Sequence, residues 1–199
     1  MLILKRKNNM YMSVCSDVIE IEQPTFFDLC VVEFKRMWLR LNLKNIEKEL
    51  KNVKDSASIS DKTLNFYLTL IDEWTKSASD AKYLGCAKNK LGDLVVVLYK
   101  YNTIYLMGEP YRTVMYAPKI MFHLIDDKHL LIDDILTRYN NVGNGSILMD
   151  AFLKYAKDNN IQTITGNLSS IDEDHKDRRD YFYKKFEFEV GNTKIVKHL

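Results

Sequence analysis

The stretch whose reading decides the fold is His129–Lys157, HLLIDDILTRYNNVGNGSILMDAFLKYAK. Leu130, Leu131, Ile132, Ile135 and Leu136 give it the apolar, partly β-branched content of a strand. Asn140 to Gly145 is turn chemistry, because Asn and Gly tolerate positive φ better than other residues. Ser146 is suited to cap a helix, and Ile147, Leu148, Ala151, Phe152, Tyr155 and Ala156 then recur at helical spacing. A glycine turn feeding a helix start gathers unpaired backbone N–H groups in a region of positive partial charge. Such a place holds a phosphate without a basic side chain. On composition alone, an ordinary strand–turn–helix fits equally well.

Outward from this stretch, the chain reads as helices followed by strands. Asp17–Glu22 alternates as a short strand, and Phe26 to about Leu50 is a long helical pattern interrupted near Asn42–Asn45. A second helix runs from Ser60-Asp61 through Trp74 and ends at Ser77–Asp80; its aromatics are core residues. Tyr83–Ala87 and Asp93–Tyr101 flank the turn Asn89–Gly92 as a hairpin. Thr103–Met107 is extended, and Thr113–Ile125 is strand-like apart from Pro118. After the central helix come a strand at Ile161–Leu168, a short helix at Arg178–Phe186 and a closing strand at Phe188–Val196.

Composition bounds the function. The chain has 199 residues, 46% hydrophobic and 28% charged, as in a globular protein with a substantial core. A net charge of +2 gives no ground for nucleic acid or an anionic membrane as partner. Cys15, Cys30 and Cys86 are scattered without a CxxC pair, which indicates reduced thiols rather than a zinc site or disulfide scaffold. The basic start Lys5–Lys7 is followed by Asn8-Asn9 where a signal peptide needs an apolar run, and no stretch approaches about 18 uninterrupted apolar residues. A cytoplasmic, non-membrane protein is the expectation. The loop lacks the Lys-Ser/Thr of a nucleotide-hydrolysing P-loop, and no GxSxG or HExxH occurs. Four dispersed histidines argue against a metal site.

Two blocks carry a resemblance. NNVGNGSIL at 140–148 resembles the acetyl-CoA loop of the GNAT acetyltransferase superfamily, Gln/Arg-x-x-Gly-x-Gly/Ala followed by a helix. FYKKFEF at 182–188 resembles that family's FYxKxGF signature. Order and spacing agree, firmly over about 129–190 and plausibly over 17–128, and the resemblance is silent on 1–16. The resemblance implies an α+β fold with a mixed sheet: N-terminal helices (25–78), antiparallel strands, then a β-α-β-α-β ending in which two parallel strands splay apart. One domain over 17–199 follows, with 1–16 as a tail.

By the same resemblance, the cosubstrate is acetyl-CoA and the activity is transfer of its acetyl group to a primary amine, in a small molecule or a protein. Arg138, Asn140, Asn141, Val142, Gly143, Asn144, Gly145 and Ser146 would hold the cofactor, the backbone at Ile135 and Leu136 the thioester oxygen. Tyr183 would protonate the departing thiolate. His129 falls at the position of a general base in some family members, and Asp134 or Asp133 is the other candidate, with strand alternation admitting at most one of the two to the site. Asp172 and His175 are further residues that could lie near the acceptor, as are Tyr105, Glu109, Tyr111 and Tyr116. Arg178, Arg179, Lys184 and Lys185 are candidates for outer phosphates, or a solvated helix face. Two residues depart from the family pattern: Asn140 stands for Gln or Arg, and Glu187 for Gly. They leave open a non-catalytic module that binds acyl-CoA or a protein partner. Many members of the family pair, so a homodimer is also open.

Overall fold

The computed structural model describes residues 6–7, 9–14, 17–22, 43–51, 61–139, 141–168 and 175–199. The chain divides into two compact units, Met1–Ala57 and Ser58–Leu199. In the first unit β1 (Arg6–Lys7), β2 (Asn9–Val14) and β3 (Asp17–Glu22) form an antiparallel sheet, so part of the expected tail is strand. Residues 43–51 form helix α1; the rest of the long helical pattern from Phe26 lies outside the described residues.

The second unit opens with α2 (Asp61–Lys76) and continues through β4 (Lys82–Lys88), β5 (Leu94–Lys100), β6 (Thr103–Met107), β7 (Lys119–Asp126) and β8 (His129–Leu136). Then come α3 (Asn144–Asp158), β9 (Thr163–Asn167), α4 (Lys176–Lys185), β10 (Glu189–Val190) and β11 (Lys194–His198). The eight strands make one mixed sheet in the order β10-β11-β9-β8-β7-β6-β5-β4, in which β8 and β9 are the parallel pair. This is the α+β layout that the resemblance implies.

β5 shows why the sheet needs two helical layers. Leu94 to Tyr99 are all buried, which a strand achieves when both its faces are covered. On one face α2 packs its Trp74 ring 5.3 Å from Tyr105, and its indole N–H donates to Tyr99 O at 3.0 Å. On the other, α3 sets Phe152 4.9 Å from Phe122 and stacks Tyr155 on Tyr99 at 4.9 Å. The Tyr67 hydroxyl of α2 donates to Leu94 O at 2.5 Å, and burial pushes that phenol up to about 12. Burial and the adjoining Tyr99 likewise push the Tyr155 phenol upward.

Two local expectations change. Residues 113–117 form a turn, closed by the Tyr116 and Ala117 N–H groups on Thr113 O, and β7 starts after Pro118, which has no N–H to give a ladder. Phe188–Val196 is a hairpin rather than one strand: Gly191 N–H donates to Lys194 O at 2.8 Å and reverses the chain. β8 also carries a bulge, and it shapes the site.

Candidate active site

β8 and β9 pair from His129↔Thr163 to Ile132↔Gly166 and then stop, although β8 continues to Leu136 and β9 to Asn167. Ladder groups beyond Ile132 and Gly166 therefore face a gap rather than each other. The gap opens into a cleft of about 400 Å³ lined by the ends of both strands, the glycine loop and α4.

The loop at its mouth is built from left-handed residues. Asn141 has φ 63° and Gly143 φ 87°, and Gly143 is the N-cap of α3 with no side-chain cap bond. Gly143 O accepts the N–H groups of Ser146 at 3.1 Å and Ile147 at 3.2 Å, so the Asn144 and Gly145 amides are the ones without a helix carbonyl, and both residues line the cleft. Ser146 is not the cap: it lies one turn in, where its Oγ accepts from Lys185 Nζ at 2.8 Å. A cap with positive φ is open to glycine at little steric cost, which removes the need for serine there. Gly145 matters for room, since a Cβ there would come within 3.2 Å of Phe182 and of Thr137. Asn144 is 1% exposed; its Nδ2 donates to Tyr111 Oη at 2.7 Å, while its buried Oδ1 has no partner among the described residues.

The floor of the cleft is set by the bulge. β7 and β8 pair as Met121↔Asp134 and Phe122↔Ile132, so Asp133 is an extra residue on β8. A bulge breaks the two-residue alternation, and Asp133 and Asp134 are both exposed and both line the cleft. The expectation that only one of them could reach it is corrected. Asp133 lies 2.8 Å from Nδ1 of His123 on β7, and Asp134 Oδ1 accepts from the Ile135 N–H at 2.7 Å.

Of the residues singled out from sequence, Asp134, Ile135, Asn141, Gly143, Asn144, Gly145, Ser146 and Tyr183 line the cleft, as do His175, Arg178, Arg179 and Lys185. Leu136, Arg138 and Val142 do not. The Arg138 guanidinium donates to Met115 O and sits 6.0 Å from the Tyr116 ring, at the 113–117 turn. His129 also stands away from the cleft, at the start of β8, with Nε2 2.7 Å from Thr165 Oγ1. The physical reason is length: strand residues rise about 3.3 Å each, and the split begins only after Ile132. Tyr105, Glu109, Tyr111 and Tyr116 do not line the cleft; Tyr105 packs on Trp74 and Tyr111 is buried beneath Asn144. Asn140 and Asp172 lie outside the described residues. Glu187 has φ 61°, a left-handed conformation that glycine adopts at least cost, and its carboxylate meets Lys197 Nζ at 3.1 Å. Lys90, His123 and Tyr139 were not picked out from sequence; a lone lysine in a hairpin turn or a histidine in a strand gives no local signal.

Comparison with known proteins adds a relative and several distant likenesses. The uncharacterized protein YocC of Bacillus subtilis (strain 168) is 31% identical over 155 residues, which cover 75% of this chain and 86% of YocC. The chain belongs to the family of YocC. No family model matches it. Among solved structures, Ard1 from Thermoplasma volcanium aligns at TM-score 0.41 and 17% identity, covering 49% of this chain and 70% of its own. An acetyltransferase from Streptococcus agalactiae 2603 aligns at TM-score 0.38 and 15% identity, over 79% and 89%. A GNAT family acetyltransferase from Elizabethkingia anophelis with acetyl-CoA bound aligns at 0.34 and 15%, over 66% and 82%. Likenesses of that strength leave the fold of this YocC relative to be read from its own strand order. Among the described residues no helix is long and apolar enough to cross a membrane, and no group of three or more His, Cys, Asp or Glu could hold a metal ion.

Proposed function

We propose that this chain is an acetyl-CoA-dependent N-acetyltransferase that moves the acetyl group to a primary amine in a ternary complex. One observation carries the reading: a glycine-capped helix start stands at the mouth of the gap where the parallel pairing of β8 and β9 ends. The α3 amides and the helix dipole hold the diphosphate. The pantetheine arm enters the gap as a surrogate strand and gives the stranded ladder groups partners. Its amide N–H groups also suit the buried, unpartnered Asn144 Oδ1.

In the reaction the thioester oxygen takes the Ile135 N–H, displacing the Asp134 carboxylate that accepts it at 2.7 Å. The released carboxylate removes a proton from the acceptor ammonium, directly or through water. The amine nitrogen attacks the carbonyl carbon, the C–S bond breaks, and sulfur leaves with the electron pair. Tyr183 gives it a proton, and the product nitrogen sheds its second proton, through water, to the tyrosinate as the amide forms; a phenol of pKa about 10 serves a thiolate of about 8.5. His129, at the far end of β8, is not given a role. Use of a coenzyme A thioester suits a cytoplasmic protein.

A second reading is favoured by one contact. If Asp134 keeps the Ile135 N–H, the oxyanion donor stays occupied and the chain is a coenzyme A-binding module without turnover. Thiol release from acetyl-CoA against a panel of polyamines, amino sugars, amino acids and peptide amines separates the two. Turnover with any amine supports the enzyme. Calorimetric binding of coenzyme A with no turnover supports the module, and no binding of any coenzyme A derivative removes both.

A further inference from the structure

The family pattern places a long polar or cationic side chain at the loop's first position, and this sequence has Asn140 there. Arg138, two residues upstream, does not replace it, because its guanidinium is held at the 113–117 turn by Met115 O and Tyr116. A lysine from about fifty residues earlier in the chain does stand beside the loop. In the turn between β4 and β5, the buried Asn89 Oδ1 accepts the N–H groups of Leu91 at 2.9 Å and Asp93 at 3.0 Å, and its Nδ2 donates to Asp93 at 2.9 Å. This locks the turn, whose Lys90 N–H donates to Val142 O at 2.9 Å and ties it to the glycine loop. The Lys90 stem lies against Gly143, so close that a Cβ on Gly143 would be 3.2 Å from Lys90 Cγ. Its ammonium makes no ion pair among the described residues, and Lys90 lines the cleft. Across the same turn, Lys185 of α4 is held on Ser146 Oγ at 2.8 Å.

We infer that Lys90 and Lys185 form a two-cation clamp on the diphosphate of the cosubstrate, one from each side of the Gly143–Ser146 helix start. The inference rests on the coenzyme A reading above. Two phosphates side by side carry a charge that two lysines match, whereas the helix start alone supplies about half a charge. The clamp also gives Gly143 a second reason to be glycine: any side chain there meets the Lys90 stem.

The test is calorimetric titration of full-length wild type, Lys90→Met, Lys185→Met and the double variant with coenzyme A, dephospho-coenzyme A and pantetheine. Each single variant is expected to weaken coenzyme A about tenfold, and the loss should persist with dephospho-coenzyme A, which keeps the diphosphate. Affinity for pantetheine, which has no phosphate, should not change. Lys90→Arg should restore most of the affinity, and Lys88→Met, an exposed lysine outside the cleft lining, should leave it intact. The loss should shrink in high salt. Unchanged affinity in Lys90→Met, or a loss that disappears with dephospho-coenzyme A, overturns the clamp while leaving the coenzyme A reading in place. Absence of heat from the wild type with coenzyme A overturns that reading and the clamp with it.

Discussion

The two halves of the large sheet behave differently. From β4 to β8 every neighbour is antiparallel, and at the centre β5 and most of β6 are buried on both faces. From β8 to β9 the pairing is parallel, lasts four residue pairs and then stops with both strands still running. The closed half pairs each inner strand on both sides. The open half retains unpaired main-chain groups, a helix start and two adjacent carboxylates, all facing one gap. The difference teaches that the fold spends its packing on one half and leaves its polar valences on the other. Damage to the closed half should therefore register as stability, and damage to the open half as binding or turnover.

The largest effect belongs to the closed half. Phe122 is 2% exposed and packs on Phe152, Tyr155 and Tyr99. Phe122→Ala should cost about 4 kcal/mol of unfolding free energy in urea, while the fraction that remains folded binds coenzyme A as before. Equal loss of stability and affinity would break the division. In the open half, Gly143→Val combines a β-branched residue at φ 87° with a collision against Lys90. It should weaken coenzyme A at least about a hundredfold in calorimetry, with the unfolding free energy in urea falling by about 2 kcal/mol or less. Tyr183→Phe should lower turnover roughly ten- to a hundredfold without altering coenzyme A affinity or thermal midpoint; unchanged turnover removes the acid role.

The smallest effect is a pH dependence. Tyr67 holds its proton more tightly folded than unfolded, about 12 against 10, so its share of stability is fully present below pH 10 and is lost as pH climbs toward 12. Urea unfolding at pH 9 and pH 11 should show a decline shallower in Tyr67→Phe by roughly 1 kcal/mol. Coenzyme A binding at pH 9 should not differ between the two, because Tyr67 is outside the cleft lining.

Legibility in sequence followed locality. The glycine loop could be read because its parts are contiguous: Asn-Gly chemistry, a strand before and a helical period after. The hairpin at Asn89–Gly92 was visible for the same reason, and β4 and β5 flank it as expected. The bulge was not legible, since Ile132-Asp133-Asp134-Ile135 reads as ordinary alternation until β7 fixes the register from the other side. The reach of Lys90 was hidden likewise, because its turn and the loop it meets are joined by one hydrogen bond across some fifty residues. That His129 stands outside the cleft lining was likewise not readable, because it depends on where the parallel pairing ends.

By itself, then, the sequence determined what short-range forces control: the strand–turn–helix at its centre, the aromatic and aliphatic periods that make a two-sided core, and Glu187 in a place where a glycine would sit without strain. Tertiary structure alone decided where β8 and β9 part, that Asp133 and Asp134 share one surface, and which lysines stand beside the helix start. Those features depend on register between distant segments, and a shift of one residue in pairing turns every side chain over while leaving the pattern along the chain unchanged.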